Sequence, residues 1–200
     1  MIARLYVAGL CLLAANAFAA DAWFTDATDD YGLRFTHVNG FTPERRLVET
    51  MGSGGALFDY DGDGDLDLYL VQGNELPGID PTTTDRLFEQ RDGRFVDVTR
   101  ETGLGSAAYG LGAVVGDFDR EGAEDLYVTN LGANILYRNN GAGPFADATP
   151  PAGLRCALLS PRPAFAAYAR AAPLAPYASD SVAHTLDTEA PCSFGGLPPS

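Results

Sequence analysis

The sequence predicts an all-β chain built from repeated four-stranded sheets. One five-residue pattern occurs three times, and a run of alternating acidic residues occurs twice, at Asp59 and 58 residues later at Asp117. Short segments of alternating apolar residues lie between these motifs, as in β-strands. Because a lone four-stranded sheet cannot cover its own faces, such units stack on one another. We therefore predict an incomplete β-propeller of about two blades, followed by a disordered or aberrant C-terminal tail.

The charge of the chain limits the kinds of partner it can have. The 200 residues carry a formal net charge of -14, all 13 basic residues are arginines, and 46% of the residues are hydrophobic. This apolar share is sufficient for a core. An acidic surface repels nucleic acid and anionic lipid and attracts metal cations. We therefore expect no nucleic-acid partner.

Residues 1–19 have the features of a secretory signal peptide. Arg4 provides a basic start, residues 5–15 are mostly apolar, and residues 17–19 form a small-residue cleavage site. A short buried helix is the less favoured alternative. Because the apolar run is too short to span a bilayer, we expect removal rather than anchoring and no membrane span. The predicted location is outside the cytoplasm, as a periplasmic, cell-surface or secreted protein.

The five-residue pattern is Phe-x-Asp-x-Thr followed by Gly-Leu. Its three copies begin at Phe24, Phe95 and Phe145 with the same internal spacing, which chance rarely produces. The last two copies are only 50 residues apart, whereas the acidic runs are 58 apart. We assign the difference to a loop insertion at residues 72–85 of the first repeat.

Each repeat contains the signals of strands and hairpins. After the first acidic run Leu66, Leu68 and Leu70 share one face of a strand, and Asp67 and Tyr69 share the other.

Two further strands, at residues 87–90 and 95–98, flank Asp92-Gly93, a pair that favours a tight hairpin turn. The second repeat has the same arrangement around residues 139–141. Each repeat therefore supplies about four antiparallel strands.

The acidic runs have the composition of calcium loops. Closely spaced carboxylates repel one another, and a hard divalent cation removes that conflict. Calcium takes about six to eight oxygen ligands at flexible geometry. In the first loop the predicted ligands, at positions one, three, five, seven and nine, are Asp59, Asp61, Asp63, the carbonyl of Asp65, and Asp67. In the second loop the same positions are held by Asp117, Asp119, Glu121, the carbonyl of Ala123, and Asp125.

Three other interpretations of these loops compete with calcium binding. An EF-hand needs a bidentate acid at position twelve, where the two loops have Leu70 and Val128. Magnesium demands a stricter octahedral geometry. A solvated acidic turn without metal stays open as an alternative, more so for the second loop, where Glu121 has a longer side chain than aspartate.

These motifs resemble the FG-GAP or VCBS-type repeats of integrin-like propellers. The leader, W-F-T-D-A-T, R-R-L-V-E-T-M-G-S-G and the repeats are similar, over about residues 23–154, to bacterial proteins of the cartilage-acidic-protein (ASPIC/UnbV) family. The resemblance implies a non-catalytic binding or adhesion module outside the cell, with structural Ca²⁺ that stiffens the blades. It implies a partner that is an extracellular protein or glycan of unknown identity.

Two alternative functions remain open at this stage. A complete propeller can carry a catalytic pocket at its central channel, so the chain could be a fragment of a propeller enzyme. The sequence contains no recognisable nucleophile or base, and Ser53 does not lie in a G-x-S-x-G motif. The other alternative is a truncated product without function.

The repeats end abruptly. We divide the chain into a signal peptide at 1–19, a repeat region at 22–154 and an Ala/Pro-rich tail at 155–200, in which the expected third acidic loop is missing. The tail is either a genuine disordered linker or the result of a frameshift near Arg155, and we favour the second interpretation. Two blades cannot close a propeller ring, so we expect a truncated product.

Overall fold

The computed structural model describes residues 24–141, 143–152, 162–166 and 175–179. The described residues are mostly β-structure and form two four-stranded antiparallel sheets. The first sheet consists, in order, of β1 (Gly55–Phe58), β2 (Asp67–Leu70), β3 (Arg86–Arg91) and β4 (Arg94–Asp97). The second consists of β5 (Gly110–Gly116), β6 (Asp125–Asn130), β7 (Ile135–Arg138) and β8 (Ala146–Asp147). The prediction of four strands per repeat is therefore confirmed.

Within the described ranges, three one-turn helices accompany the sheets: α1 (Leu47–Met51), α2 (Thr99–Thr102) and α3 (Thr149–Ala152). In the repeated pattern the aspartate accepts a hydrogen bond from the backbone N–H of the threonine two residues later, which is an Asx turn, and in the last two copies that threonine is the first residue of a helix. These bonds are Asp26 to Thr28 at 3.0 Å, Asp97 to Thr99 at 3.0 Å and Asp147 to Thr149 at 2.9 Å. Among the described residues, no helix is long and apolar enough to cross a membrane.

The hairpin between β3 and β4 has the predicted tight turn. Arg91 pairs with Arg94, which leaves two turn residues, and both Asp92 and Gly93 have positive φ angles, 51° and 73°. This is the backbone of a type I′ turn, which matches the twist of the flanking strands. The insertion at residues 72–85 is a loop, also as predicted, since no helix or strand lies between β2 and β3.

The main apolar core lies between the two sheets. Its buried members are Phe58, Tyr69, Val71, Leu87, Val98 and Leu104 from the first repeat, and Leu126, Val128, Tyr137 and Phe145 from the second. The rings of Phe58 and Phe145 meet edge to face with centroids 6.5 Å apart. The sheets therefore stack face to face, as the repeat argument predicted.

The face of β2 that enters this core is the one bearing Asp67 and Tyr69, both of which are buried. The leucine face lies outside this core, and Leu66, just before β2, is 53% exposed. Alternation in the sequence identified the two faces correctly but carried no information on which one the neighbouring sheet covers.

The predicted tail contains two strands, β9 (Arg162–Ala166) and β10 (Ala175–Ser179), which form an antiparallel pair with Arg162 opposite Ser179. The expectation of disorder does not apply to these ten residues. Strand pairing satisfies backbone N–H and C=O groups and does not need the patterned apolar surface on which that expectation depended. The predicted signal peptide lies outside the described residues, as does the rest of the tail.

Candidate metal centres

The first acidic loop connects β1 to β2 and folds around Asp59. One carboxylate oxygen of Asp59 accepts the backbone N–H of Gly62 at 2.8 Å, and the other accepts that of Gly64 at 3.0 Å. Both glycines have positive φ angles, 81° and 93°, which other residues rarely adopt. The glycines therefore allow the chain to turn about a carboxylate at the first predicted ligand position.

Three of the predicted ligands of this loop come together. Asp59, Asp61 and Asp67 each place a carboxylate oxygen so that all three lie within 4.8 Å of one another. Asp63 lies outside this group, and one of its oxygens accepts the backbone N–H of Asp65 at 2.8 Å. Both Asp63 and Asp65 are exposed.

Asp67 connects the loop to the rest of the first sheet. It is 1% exposed, and its two oxygens accept the backbone N–H groups of Tyr60 at 3.0 Å and of Gln90 in β3 at 2.9 Å. Burial raises the pKa of Asp67 from 3.8 to about 6, against the lowering effect of these hydrogen bonds. Burial also raises the pKa of Asp61, with the charge of Asp63 adding to it. A cation at this position would offset the unfavourable burial of negative charge.

The second acidic loop, between β5 and β6, repeats this geometry. Asp117, Asp119 and Asp125 again place their oxygens within 4.8 Å of one another. Asp125 is fully buried and accepts the backbone N–H groups of Phe118 at 2.9 Å and Asn139 at 2.8 Å. Burial raises its pKa to about 6, as it does for Asp67.

The fifth-position acid of the second loop makes a different contact. Glu121 is exposed and forms an ion pair with Arg138 at the end of β7. The same guanidinium contacts Asp119, with Nε 2.6 Å from a carboxylate oxygen. Ala123, whose carbonyl was the predicted seventh-position ligand, lies in the turn that follows.

Two residues at these centres were missed by sequence reasoning. Besides donating its backbone N–H to Asp125, Asn139 donates from Nδ2 to the carbonyl of Tyr60 in the first loop at 2.7 Å, so it joins the two loops. The second missed residue is Arg138, which contacts Asp119 and Glu121. The pairing of β7 with β6 brings both residues next to the loops. In the sequence, only a strand-by-strand alignment of the two repeats could have indicated them.

A cleft of about 220 Å³ lies beside the first loop, between it and the turn that precedes β8. Tyr60 and Asp61 form one wall, and Asn139 and Pro144 lie on the other side. The Tyr60 hydroxyl turns toward Glu89 and donates to it at 2.7 Å. Burial, followed by this bond, raises the pKa of Tyr60. The first loop is therefore in contact with both sheets.

The donor set fits a calcium ion. All the grouped ligands are carboxylates, the oxygen donors that hard cations prefer, and the loops are folded by glycines that permit a close turn. The first loop meets this test with three of its five predicted ligands. The second loop has the same backbone geometry, but the guanidinium of Arg138 contacts two of its predicted ligands, Asp119 and Glu121.

Residues 59–128 match the family model described as FG-GAP-like repeat. The chain contains an FG-GAP-like repeat. The match begins at the first predicted ligand of the first loop and ends in β6, so the FG-GAP-like repeat includes both candidate metal centres. The prediction of this repeat type is thereby confirmed for these residues. No curated protein matches the chain.

The FG-GAP-like repeat has consequences for function at a coarse level. Repeats of this family are generally non-catalytic, typically extracellular, and often bind Ca²⁺. A repeat of this kind suggests a β-propeller-like binding module, and the two four-stranded sheets fit that description.

Proposed function

We propose that the chain is an exported calcium-binding segment of a β-propeller and serves as a non-catalytic binding or adhesion module. The observation that carries the proposal is the group of Asp59, Asp61 and Asp67, whose carboxylate oxygens converge within 4.8 Å in an FG-GAP-like repeat. In this proposal each four-stranded sheet is one blade. The ion is structural and takes no part in chemistry.

The contacts of the first loop explain how an ion would stiffen the blades. Asp67 is bound to β3 through the backbone N–H of Gln90, and the carbonyl of Tyr60 is bound to Asn139 of the second sheet. An ion held by Asp59, Asp61 and Asp67 would therefore fix the β1–β2 hairpin, the adjacent strand and the neighbouring sheet together. Binding to the folded state alone stabilises that state by mass action.

The finer parts of the proposal concern location and partner. The typical extracellular setting of the repeat family agrees with export, and extracellular calcium modules bind with a Kd of about 10⁻⁴ to 10⁻³ M. We propose that the relatives with the same architecture are the bacterial ASPIC/UnbV-type proteins and that loops away from the metal centres bind an extracellular protein or glycan. The net charge of -14 disfavours nucleic acid as the partner.

The test is thermal unfolding of the full chain in calcium and in excess chelator, with two matched variants. Asp59→Asn removes a carboxylate from the first centre. Asp80→Asn makes the same change at a half-buried aspartate of the insertion, which accepts the backbone N–H of Thr82 at 2.8 Å. We expect calcium to raise the Tm of the wild type and of Asp80→Asn, and to have little effect on Asp59→Asn. An equal Tm with and without calcium in the wild type would overturn the proposal.

A further inference from the structure

The two sheets have opposite charges at one equivalent position next to their acidic loops. Leu87 and Leu136 mark the alignment, because each donates its backbone N–H to the threonine hydroxyl of the repeated pattern in its own sheet, at 3.0 and 2.8 Å. Two residues further along the strand, the first sheet has Glu89 and the second has Arg138. The backbone is the same, and the charge differs by two units.

Arg138 contacts two of the predicted ligands of the second loop. Its Nε is 2.6 Å from a carboxylate oxygen of Asp119, and its terminal nitrogen pairs with Glu121. The other oxygen of Asp119 accepts the backbone N–H of Glu121 at 3.3 Å, so both oxygens of this residue are engaged. The hydrogen bond to Glu121 is the main reason why the pKa of Arg138 is raised.

The first loop has the reverse arrangement. Glu89 accepts the Tyr60 hydroxyl and adds negative charge that contributes to the raised pKa of Asp61. The nearby cation, Arg91, is directed to Glu89. The first loop therefore gains an acid from β3 where the second gains a base from β7.

We propose that Arg138 is the resident cation of the second loop, so that calcium occupies the first loop and the second is neutralised from within the chain. This inference rests on the proposed calcium binding. Arg138 acts on the loop carboxylates in place of an ion, and the second sheet keeps its loop folded without calcium.

The physical reason is competition for the same oxygens. An ion entering the second loop must displace the guanidinium from Asp119 and Glu121 and then remain a few ångströms from a positive charge that cannot be deprotonated. The backbone bonds that fold this loop, from Gly122 to Asp117 at 2.9 Å and from Phe118 to Asp125 at 2.9 Å, do not depend on an ion. We expect the second loop to bind calcium at least about tenfold more weakly than the first.

The experiment is a calorimetric calcium titration of the full chain after removal of bound metal. The wild type should bind one ion, and Arg138→Gln should bind a second. The control is Arg86→Gln, which removes an arginine paired with Asp97 at 3.7 Å, away from both loops, and should bind one ion. Asp59→Asn in the wild-type background should bind none in the same concentration range.

The outcomes separate this inference from the calcium proposal. Two ions of similar affinity in the wild type, or one ion retained in Asp59→Asn, would overturn the role of Arg138 and leave calcium binding in place. No binding by any of the four proteins would overturn the calcium proposal and this inference with it.

A second measurement covers the case in which Arg138→Gln is poorly folded without calcium. In chelator this variant should unfold at a lower temperature than Arg86→Gln, because the carboxylates of the second loop have lost their counter-charge. Adding calcium should then raise its Tm by more than it raises that of the control. An equal calcium-dependent shift in the two variants would contradict the proposal.

Discussion

A buried carboxylate in the first sheet predicts that stability decreases as the pH rises toward neutrality. Asp85 is fully buried, and its oxygens accept the hydroxyl of Tyr69 at 2.7 Å and the backbone N–H of Gln72 at 2.7 Å. Burial raises the pKa of Asp85 from 3.8 to about 7, although both hydrogen bonds act in the opposite direction. Burial also raises the pKa of Tyr69, so its hydroxyl stays protonated and donates.

The second sheet makes the same connection with an amide. Asn134 accepts the backbone N–H of Asn130 through Oδ1 at 2.9 Å, and its Nδ2 donates to the hydroxyl of Tyr127 at 3.0 Å. These three residues are the equivalents of Asp85, Gln72 and Tyr69 in the first sheet. The chain itself therefore shows that Asp85→Asn can keep both contacts, with the Tyr69 hydroxyl turning to the carbonyl of Leu104, now 3.4 Å away.

The sign and size of the effect follow from proton linkage. Between about pH 4 and pH 7 the folded state binds a proton at Asp85 that the unfolded state does not, so the stability from this group is complete at low pH and is lost as the pH rises through 7. A shift of about three pKa units corresponds to at most about 4 kcal/mol. Because hydrogen bonds to a charged acceptor are stronger than those to an amide, we expect Asp85→Asn to gain about half of this, about 2 kcal/mol at about pH 8.

The assay is urea unfolding of the wild type and Asp85→Asn, with calcium present, at about pH 8 and about pH 5. The variant should be more stable at the higher pH, and the difference should shrink or reverse at the lower pH, where the wild-type carboxyl is protonated. The reciprocal change, Asn134→Asp, should destabilise the protein at the higher pH. A difference between wild type and Asp85→Asn that is the same at both pH values would refute the reasoning.

Two further predictions concern the core and the metal centre. Phe58 is 1% exposed and contacts Phe145, so Phe58→Ala should lower the free energy of unfolding by about 3–5 kcal/mol in urea titrations, whereas Leu66→Ala at a 53% exposed site should cost much less. Equal costs would contradict the assigned core. Calcium affinity measured by titration should fall as the pH drops through about 6, because Asp67 must lose its proton to bind the ion. An affinity that is constant between neutral pH and about pH 5 would argue against Asp67 as a ligand.

Local sequence patterns predicted those features whose cause is local. Asp92-Gly93 determines its turn because only residues that tolerate a positive φ fit there, and the glycines of the first loop allow the chain to fold around Asp59. The repeated aspartate and threonine helped to predict the repeats, and their spacing of two residues is that of an Asx turn. In each case the interacting groups lie within a few residues of one another, so one stretch of sequence contains the whole interaction.

Features that depend on the register between strands were not predictable in this way. Arg138 reaches the second loop from β7, and Asn139 joins two loops through a contact 79 residues apart in the chain. The pairing of β9 with β10 depends on backbone groups that every sequence has. A single sequence contains the residue types for such contacts but not the distances that bring them together.

Two of the differences between the repeats concern charge, within a shared framework of hydrogen bonds. Where the first sheet has Glu89 beside its loop and Asp85 in its interior, the second has Arg138 and Asn134. The second sheet thus contains, in its own side chains, what the first would obtain from solution under the calcium proposal: a cation for the loop, and a neutral group at the buried hydrogen-bonding position. By this reasoning, calcium binding to the first loop and protonation of Asp85 both stabilise the first sheet. Conditions low in calcium and above neutral pH should therefore loosen the first sheet before the second.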